Sequence, residues 1–246
     1  WMVGLNRCGS GGTPTNTTFD HVSFYDNRMP NGGTNHLECL GAWGASGLTV
    51  INSSFSHCTT FDVFVTTSND GADFHTRDVT LENDTFADTF VNGTDGGCCM
   101  GLTVKWLTSA TNEGLWGANV IRHNTFETTL HLGTGVLQSG ATQTVPGNLL
   151  GGGITTSSSG SCPTAASNYT SNVGIKCGTT DTLSSSSAIM AGFLANNATA
   201  QSASPDNYHL NSTSPAIGKG DASPIPTTDQ DGVTRGSPSD AGAFQH

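Results

Sequence analysis

Four residues raise the first chemical question. His36, Asp62 and Asp88 stand in the segments HLEC, DVFV and DTFV, which recur at intervals of 26 residues, and Glu38 lies on the first of them. If those segments stack as successive turns of one coil, His36, Asp62 and Asp88 form an outward row with Glu38 beside it. Stacked carboxylates cannot both ionise freely, so one pKa rises and an acid–base pair for hydrolysis becomes available. The same residues also read as a solvated strand face with turn aspartates.

A second acidic group, Asp70, Asp73, Asp78 and Asp84, is close in sequence. Oxygen ligands carried on loops suit calcium, which is therefore the one candidate cofactor, with Asp70 and Asp73 as its first ligands. No Asp-x-Asp-x-Asp-Gly loop is present; DQDG at 229–232 contains half of one and reads also as a turn. Lyase chemistry on a uronate needs cations near the substrate, and Arg77, Lys105 and Arg122 are the only ones in the central part of the chain. With 8 Lys+Arg against 19 Asp+Glu the net charge is −11, which repels long polyanions and points to neutral glycans. It also argues against a nucleic-acid partner, whose binding rests on clustered basic residues. Trp43, Trp106, Trp116 and Tyr25 fall in or beside expected turns, placed to stack on a sugar ring or to cover coil edges.

The elements that must position these groups are set by a repeat. LTVINSSF at 48–55 returns as VTLENDTF at 79–86 and as NVIRHNTF at 119–126, with a weaker copy, TTFDHVSF, at 17–24. The closing phenylalanines are 31, 31 and 40 residues apart. Within each unit apolar and polar residues alternate, the period of a strand with one buried face. A repeat of about thirty residues without helical period winds as a β-solenoid, each coil burying its inward face on its neighbours. Phe55, Phe86 and Phe126 are expected to stack inside. Asn52 and Asn83 occupy one turn position, which predicts a ladder of asparagines with left-handed backbone. With both registers in one solenoid, Val63 and Val65 stack on Leu37 and Cys39 below and on Thr89 and Val91 above. The coils are expected over 1–203, and 204–246, rich in proline and aspartate turns, is expected to cap the open end of the core.

Seven cysteines without a zinc spacing or a CxxC pair point to structural disulfides in an oxidising compartment. Cys39 with Cys58 and Cys162 with Cys177 are the expected pairs, leaving Cys8, Cys98 and Cys99. No apolar run approaches the roughly 18 residues that span a bilayer, so no membrane insertion is expected. The opening WMVGLN is already strand-like and reads as the start of a segment processed from something longer. Seven Asn-x-Ser/Thr triplets, at Asn16, Asn52, Asn83, Asn92, Asn168, Asn197 and Asn211, are glycan acceptors or the product of composition.

The repeat units resemble those of right-handed parallel β-helix proteins of the pectate-lyase-like superfamily. The tail, YHLNSTSPAIGKGD followed by TDQDGVTRGSPSDAGAFQH, is similar to the C-terminal segment of many secreted bacterial β-helix proteins. NHLECLGAWGASGLTVINSSFSHC looks like a stretch of actinobacterial-type members. The resemblance implies an all-β, right-handed parallel β-helix with an irregular C-terminal cap, secreted to the extracellular space. It also implies a polysaccharide or cell-surface glycan as partner, handled by a hydrolase-like or lyase-like enzyme or by a binding protein. NDG at 69–71 is similar to part of a polygalacturonase motif, whose Asp-Asp and Gly-His-Gly elements have no counterpart here. The alternative is a non-catalytic adhesin or a structural subunit that self-associates through its coil ends.

Overall fold

Alternating side chains and left-handed corners fold this chain into a parallel β-helix. The computed structural model describes residues 2–6, 12–25, 27, 37–56, 58, 61–66, 76–87, 102–107, 116–127, 129–132, 140–151, 154–155, 162, 167–195, 207–222 and 225–246. The first coil is β1 (Val3–Asn6), β2 (Thr18–Asp20) and β3 (Ser23–Tyr25), and the second is β4 (Leu40–Trp43), β5 (Thr49–Ile51) and β6 (Ser54–Ser56). The third comprises β7 (Val63–Thr66), β8 (Thr80–Glu82) and β9 (Thr85–Ala87), and the fourth β10 (Leu102–Leu107), β11 (Ala118–Arg122) and β12 (Thr125–Phe126). The fifth is β13 (Thr129–Leu132), β14 (Thr142–Pro146) and β15 (Leu149–Leu150), and β16 (Ile154–Thr155) and β17 (Ser167–Thr170) begin a sixth. First, second and third strands of successive coils pair in parallel into three sheets, ordered β1-β4-β7-β10-β13-β16, β2-β5-β8-β11-β14-β17 and β3-β6-β9-β12-β15.

The expected phenylalanine register is the spine of this core. Phe24, Phe55, Phe86 and Phe126 stack one over another, with ring centroids 4.7, 5.1 and 4.7 Å apart and nearly parallel planes. On the second sheet Phe19, Val50, Leu81 and Ile121 follow in register, and all but the first are fully buried.

The other expected register is corrected. Val63 pairs with Leu40 and Val65 with Ala42 on one side, and with Val104 and Trp106 on the other. The pairing is therefore shifted by three residues from HLEC, and the next strand is β10. DTFV and the residues up to 101 lie outside the described residues, and their length lets the period slip unseen in sequence.

Between the second and third strands of each coil the chain turns through one residue of positive φ. Asn52, Asn83 and His123 adopt φ of 52°, 56° and 52°, as does His21 at 55° and Ser171 at 58°. Asparagine tolerates this region because its short polar side chain bonds locally, and here the expected ladder is present: Asn83 Nδ2 donates to Asn52 Oδ1, and Asn52 Nδ2 to Asp20 Oδ1. In the fifth coil the corner is Gly147 (φ 66°), where an added Cβ would lie 2.7 Å from the His123 ring, so only glycine fits.

The residue after each corner builds a second ladder inside the core. Ser53 N donates to Asp84 Oδ1, Asp84 N to Asn124 Oδ1, Asn124 N to Asn148 Oδ1, and Asn148 N to Asn172 Oδ1. Asp181 ends the series: its Oδ1 accepts from Asn172 N and its Oδ2 from the backbone of Cys177 and Gly178. Every corner N–H is thus satisfied without water, which a buried turn requires.

Asp84 is the odd rung. It is fully buried, and burial pushes its pKa well above the usual carboxylate value of 3.8, against the lowering effect of hydrogen bonds from Ser53 N and Glu82 N. A carboxyl that holds its proton when folded contributes stability present below 3.8 and lost as pH rises through the folded-state value. Asp84→Asn removes the titration but sets an amide donor against Glu82 N–H, so its effect on stability is expected to be more favourable at pH 7 than at pH 4, by about 1–3 kcal/mol. Urea unfolding at pH 4 and pH 7 checks this; an effect of the same size at both pH values would refute a protonated Asp84.

Both expected disulfides are present. Cys39–Cys58 spans 19 residues and ties the lead into β4 to the exit from β6, closing the second coil on itself. Cys162–Cys177 spans 15 residues near the last coil. By chain-entropy arguments each adds about 3 kcal/mol. The C-terminal end of the core is covered by the short helix α1 (Ser186–Ala191), whose Ala188 N–H is capped by the Ser185 side chain and whose Ile189 is fully buried.

The chain then forms an antiparallel pair, β18 (Phe193–Ala195) and β19 (Asn207–Leu210), and runs back along the outside of the third sheet. Gln230 Nε2 donates to Ser53 O, Asn83 Nδ2 to Thr228 O, Ala243 N to Thr125 Oγ1, and Gly242 N to Gly147 O. The tail therefore packs along the flank, across coils two to five. Arg235 anchors it, 6% exposed, donating to Asn83 Oδ1 and to the carbonyls of Thr228, Asp240, Gly242 and Ala243.

Candidate functional site

The outer face of the third sheet carries two columns of small side chains. Ser23, Ser54, Thr85 and Thr125 lie in register in one, and Tyr25, Ser56 and Ala87 in the other. Neighbouring hydroxyls bond along the first column, Ser54 Oγ to Ser23 Oγ at 3.1 Å. Where the tail meets this face it leaves a pocket of about 240 Å³. Its floor is Ser54, Ser56, Thr85 and Ala87, and its walls are Asn207, Tyr208, His209, Gln230 and Phe244.

Each wall residue is fixed by its own bonds. Gln230 accepts from Thr85 Oγ1 at 2.7 Å while its Nε2 reaches Ser53 O, which leaves the amide no rotation. Tyr208 donates its hydroxyl to the buried Glu127 at 2.9 Å. His209 stacks on Phe244 with centroids 4.3 Å apart. Both of its ring nitrogens are engaged, Nδ1 with Asn207 Oδ1 at 2.6 Å and Nε2 with Asp231 Oδ2 at 2.5 Å. Rigid aromatic walls and preset polar groups suit a ring-shaped ligand, which they can meet without reorganising. No Lys, Arg, Asp or Glu lines the pocket.

The residues expected to do chemistry are distributed otherwise. Asp62 and Glu38 are fully buried, not on an outward row. The bonds from Cys39 N to Phe61 O and from Leu40 N to Asp62 O put Asp62 level with Cys39, at the entry to the first sheet, and neither Asp62 nor Glu38 lines the pocket. The physical reason is that DVFV is covered on both faces, Asp62, Val63, Phe64 and Val65 all being buried. His36, Asp88, Asp70 and Asp73 lie outside the described residues. Asp78 and Asp84 do not converge: Asp78 accepts from Ala118 N and pairs with Arg77, whereas Asp84 is a rung of the inner ladder. Arg122 pairs with Glu82.

In DQDG, Asp229 accepts backbone N–H groups from Asp231, Val233 and Gln245, so its carboxylate organises the tail. Among the described residues no group of three or more His, Cys, Asp or Glu is placed to hold a metal ion. His123 is fully buried 3.6 Å from Asp221, and burial pushes its pKa down, which suits a neutral packing residue.

Of the aromatics, Tyr25 lies 62% exposed beside the pocket column, and Trp43 lies 38% exposed on the first sheet against Phe64. The sequons divide too: Asn83 is buried and bonded, and Asn211 donates its amide to Ala191 O and Phe193 O, whereas Asn16 and Asn168 are exposed.

Sequence reasoning missed Tyr208, His209, Gln230 and Phe244, because the wall they make exists only once the tail has folded back over coils two and three. No family model matches the chain, and no curated protein matches it. No helix among the described residues is long and apolar enough to cross a membrane.

Proposed function

We propose that this chain is a secreted β-helix protein that binds a neutral extracellular polysaccharide, with its ligand in the pocket between the third sheet and the tail. The observation that carries the reading is a floor with Ser54 and Ser56, and Thr85 bonded to Gln230 beside them, facing the mostly apolar wall of Tyr208, His209 and Phe244. Sugars present hydroxyls at their edges and C–H groups on their faces, so one surface answers each. Two disulfides support an oxidising, extracellular location. Similarity of the repeats and tail to secreted bacterial pectate-lyase-like proteins supports it further.

Binding is favoured over hydrolysis at this site. Glycoside hydrolysis uses two carboxyl groups flanking the bond, and the lining has none. His209, the one His, Asp or Glu among the lining residues, has both nitrogens occupied.

Calorimetric titration with neutral and acidic hexasaccharides, with and without calcium, tests the proposal. Neutral sugars are expected to bind, and Ser54→Ala and Ser56→Ala each to weaken them about tenfold, the loss of one hydrogen bond. Binding unchanged in both variants would sink the pocket assignment. The same mixtures are assayed for reducing ends and unsaturated products; release that Asp62→Asn abolishes would move the protein to the enzymes.

A further inference from the structure

The groove on the third sheet is open at one end and stopped at the other. Along its first column the fourth rung, Thr125, is covered by the tail, whose Ala243 N donates to Thr125 Oγ1 at 2.9 Å. At the third rung Gln230 crosses the column, bonded to Thr85 Oγ1. Toward the first coil, among the described residues, Tyr25 is 62% exposed, Ser23 is exposed, and no tail residue hydrogen-bonds to that coil. The blind end is the pocket itself, and its 240 Å³ is below the roughly 300–1,000 Å³ of drug-sized ligand sites, room for about one ring.

We infer that the groove takes the terminal residue of a neutral glycan chain, with the rest of the chain leaving along the coil axis past Tyr25. This rests on the binding reading above. A ligand seated under the tail is stopped at Thr125 by the tail backbone and extends toward coil one. The column rises about 4.8 Å per rung, a step of the size of one pyranose unit, so beyond the sugar held over Ser54, Ser56 and Thr85 the next one lies over coil one, between Ser23 and the Tyr25 ring. Neutrality follows from a lining without Lys, Arg, Asp or Glu and from the net charge of −11, which opposes an acidic chain.

The test uses the intact protein and linear neutral chains (1,4-linked glucan, mannan and xylan) as hexasaccharides and as polymers several times longer. Sedimentation and calorimetry read how many protein molecules one chain carries. Recognition of one end predicts one protein per chain at every length, and an affinity per mole of chain that does not grow with length. Tyr25→Ala, a change at an exposed position, is expected to weaken the hexasaccharide about tenfold and to leave the monosaccharide unchanged. Occupancy that rises with chain length overturns terminal recognition; the pocket reading then still stands if Ser54→Ala and Ser56→Ala lose affinity. Absence of binding to every chain overturns both.

Discussion

Arg235→Ala is expected to cost about 3–5 kcal/mol and to release the tail from the coils. Burial lowers the Arg235 pKa to about 10, and its charge is balanced by Asp229, Asp240 and Glu82 nearby. Its guanidinium gathers four backbone carbonyls and Asn83 Oδ1 at 2.7–3.3 Å. Alanine leaves those acceptors buried and unmatched, and each such loss costs about 1–3 kcal/mol before any relaxation. Arg235→Lys keeps the charge but cannot reach acceptors spread around a planar fork, so it recovers only part of the loss. Hydrogen exchange at Gly242 and Ala243, whose N–H groups bond to Gly147 O and Thr125 Oγ1, reads the release directly. Protection at both amides unchanged in the alanine variant would show that the tail is held by something other than this side chain. Sugar binding is expected to vanish together with that protection, since Gln230 and Phe244 leave with the tail.

The second large effect is expected at Phe86. It is fully buried, with Phe55 on one side and Phe126 on the other at centroid distances of 5.1 and 4.7 Å. Phe86→Ala removes a side chain from a core that cannot collapse, because the coils above and below are held at the strand spacing. A loss of about 3–5 kcal/mol follows, with about 0.5–1.5 kcal/mol more for each broken ring pair. In a solenoid stability is passed from neighbour to neighbour, so the variant is also expected to unfold over a broader denaturant range as coils one and two separate from coils four and five. Equilibrium unfolding followed by tryptophan fluorescence and by circular dichroism checks both. A loss below about 1.5 kcal/mol with coincident, sharp transitions would mean that the ring stack is incidental to the core.

The fold was legible where one residue type marks one structural place. Phe24, Phe55, Phe86 and Phe126 keep their identity, so their spacing exposed the coil even through the longer interval. Asn52 and Asn83 were legible for the same reason, as left-handed corners. The inner ladder was not, because its rungs are Ser53, Asp84, Asn124, Asn148, Asn172 and Asp181: the hydrogen-bonding role is constant while the residue changes. The register of the first sheet was misread because Leu37, Cys39, Leu40 and Ala42 are all compatible with an inward strand, and only backbone pairing separates them. The pocket lay furthest from view. Thr85 and Gln230 are 145 residues apart, and nothing in local sequence announces that they meet.

The backward run of the tail also orders events in time. Coils can form as the chain is made, each closing on the one before it, but the wall of the pocket is drawn from residues 207–244 and laid on a floor from residues 54–87. Capacity to hold a ligand is therefore the last property the molecule acquires. On the binding reading proposed above, a chain stopped short of Phe244 is expected to form its coils and to hold no sugar.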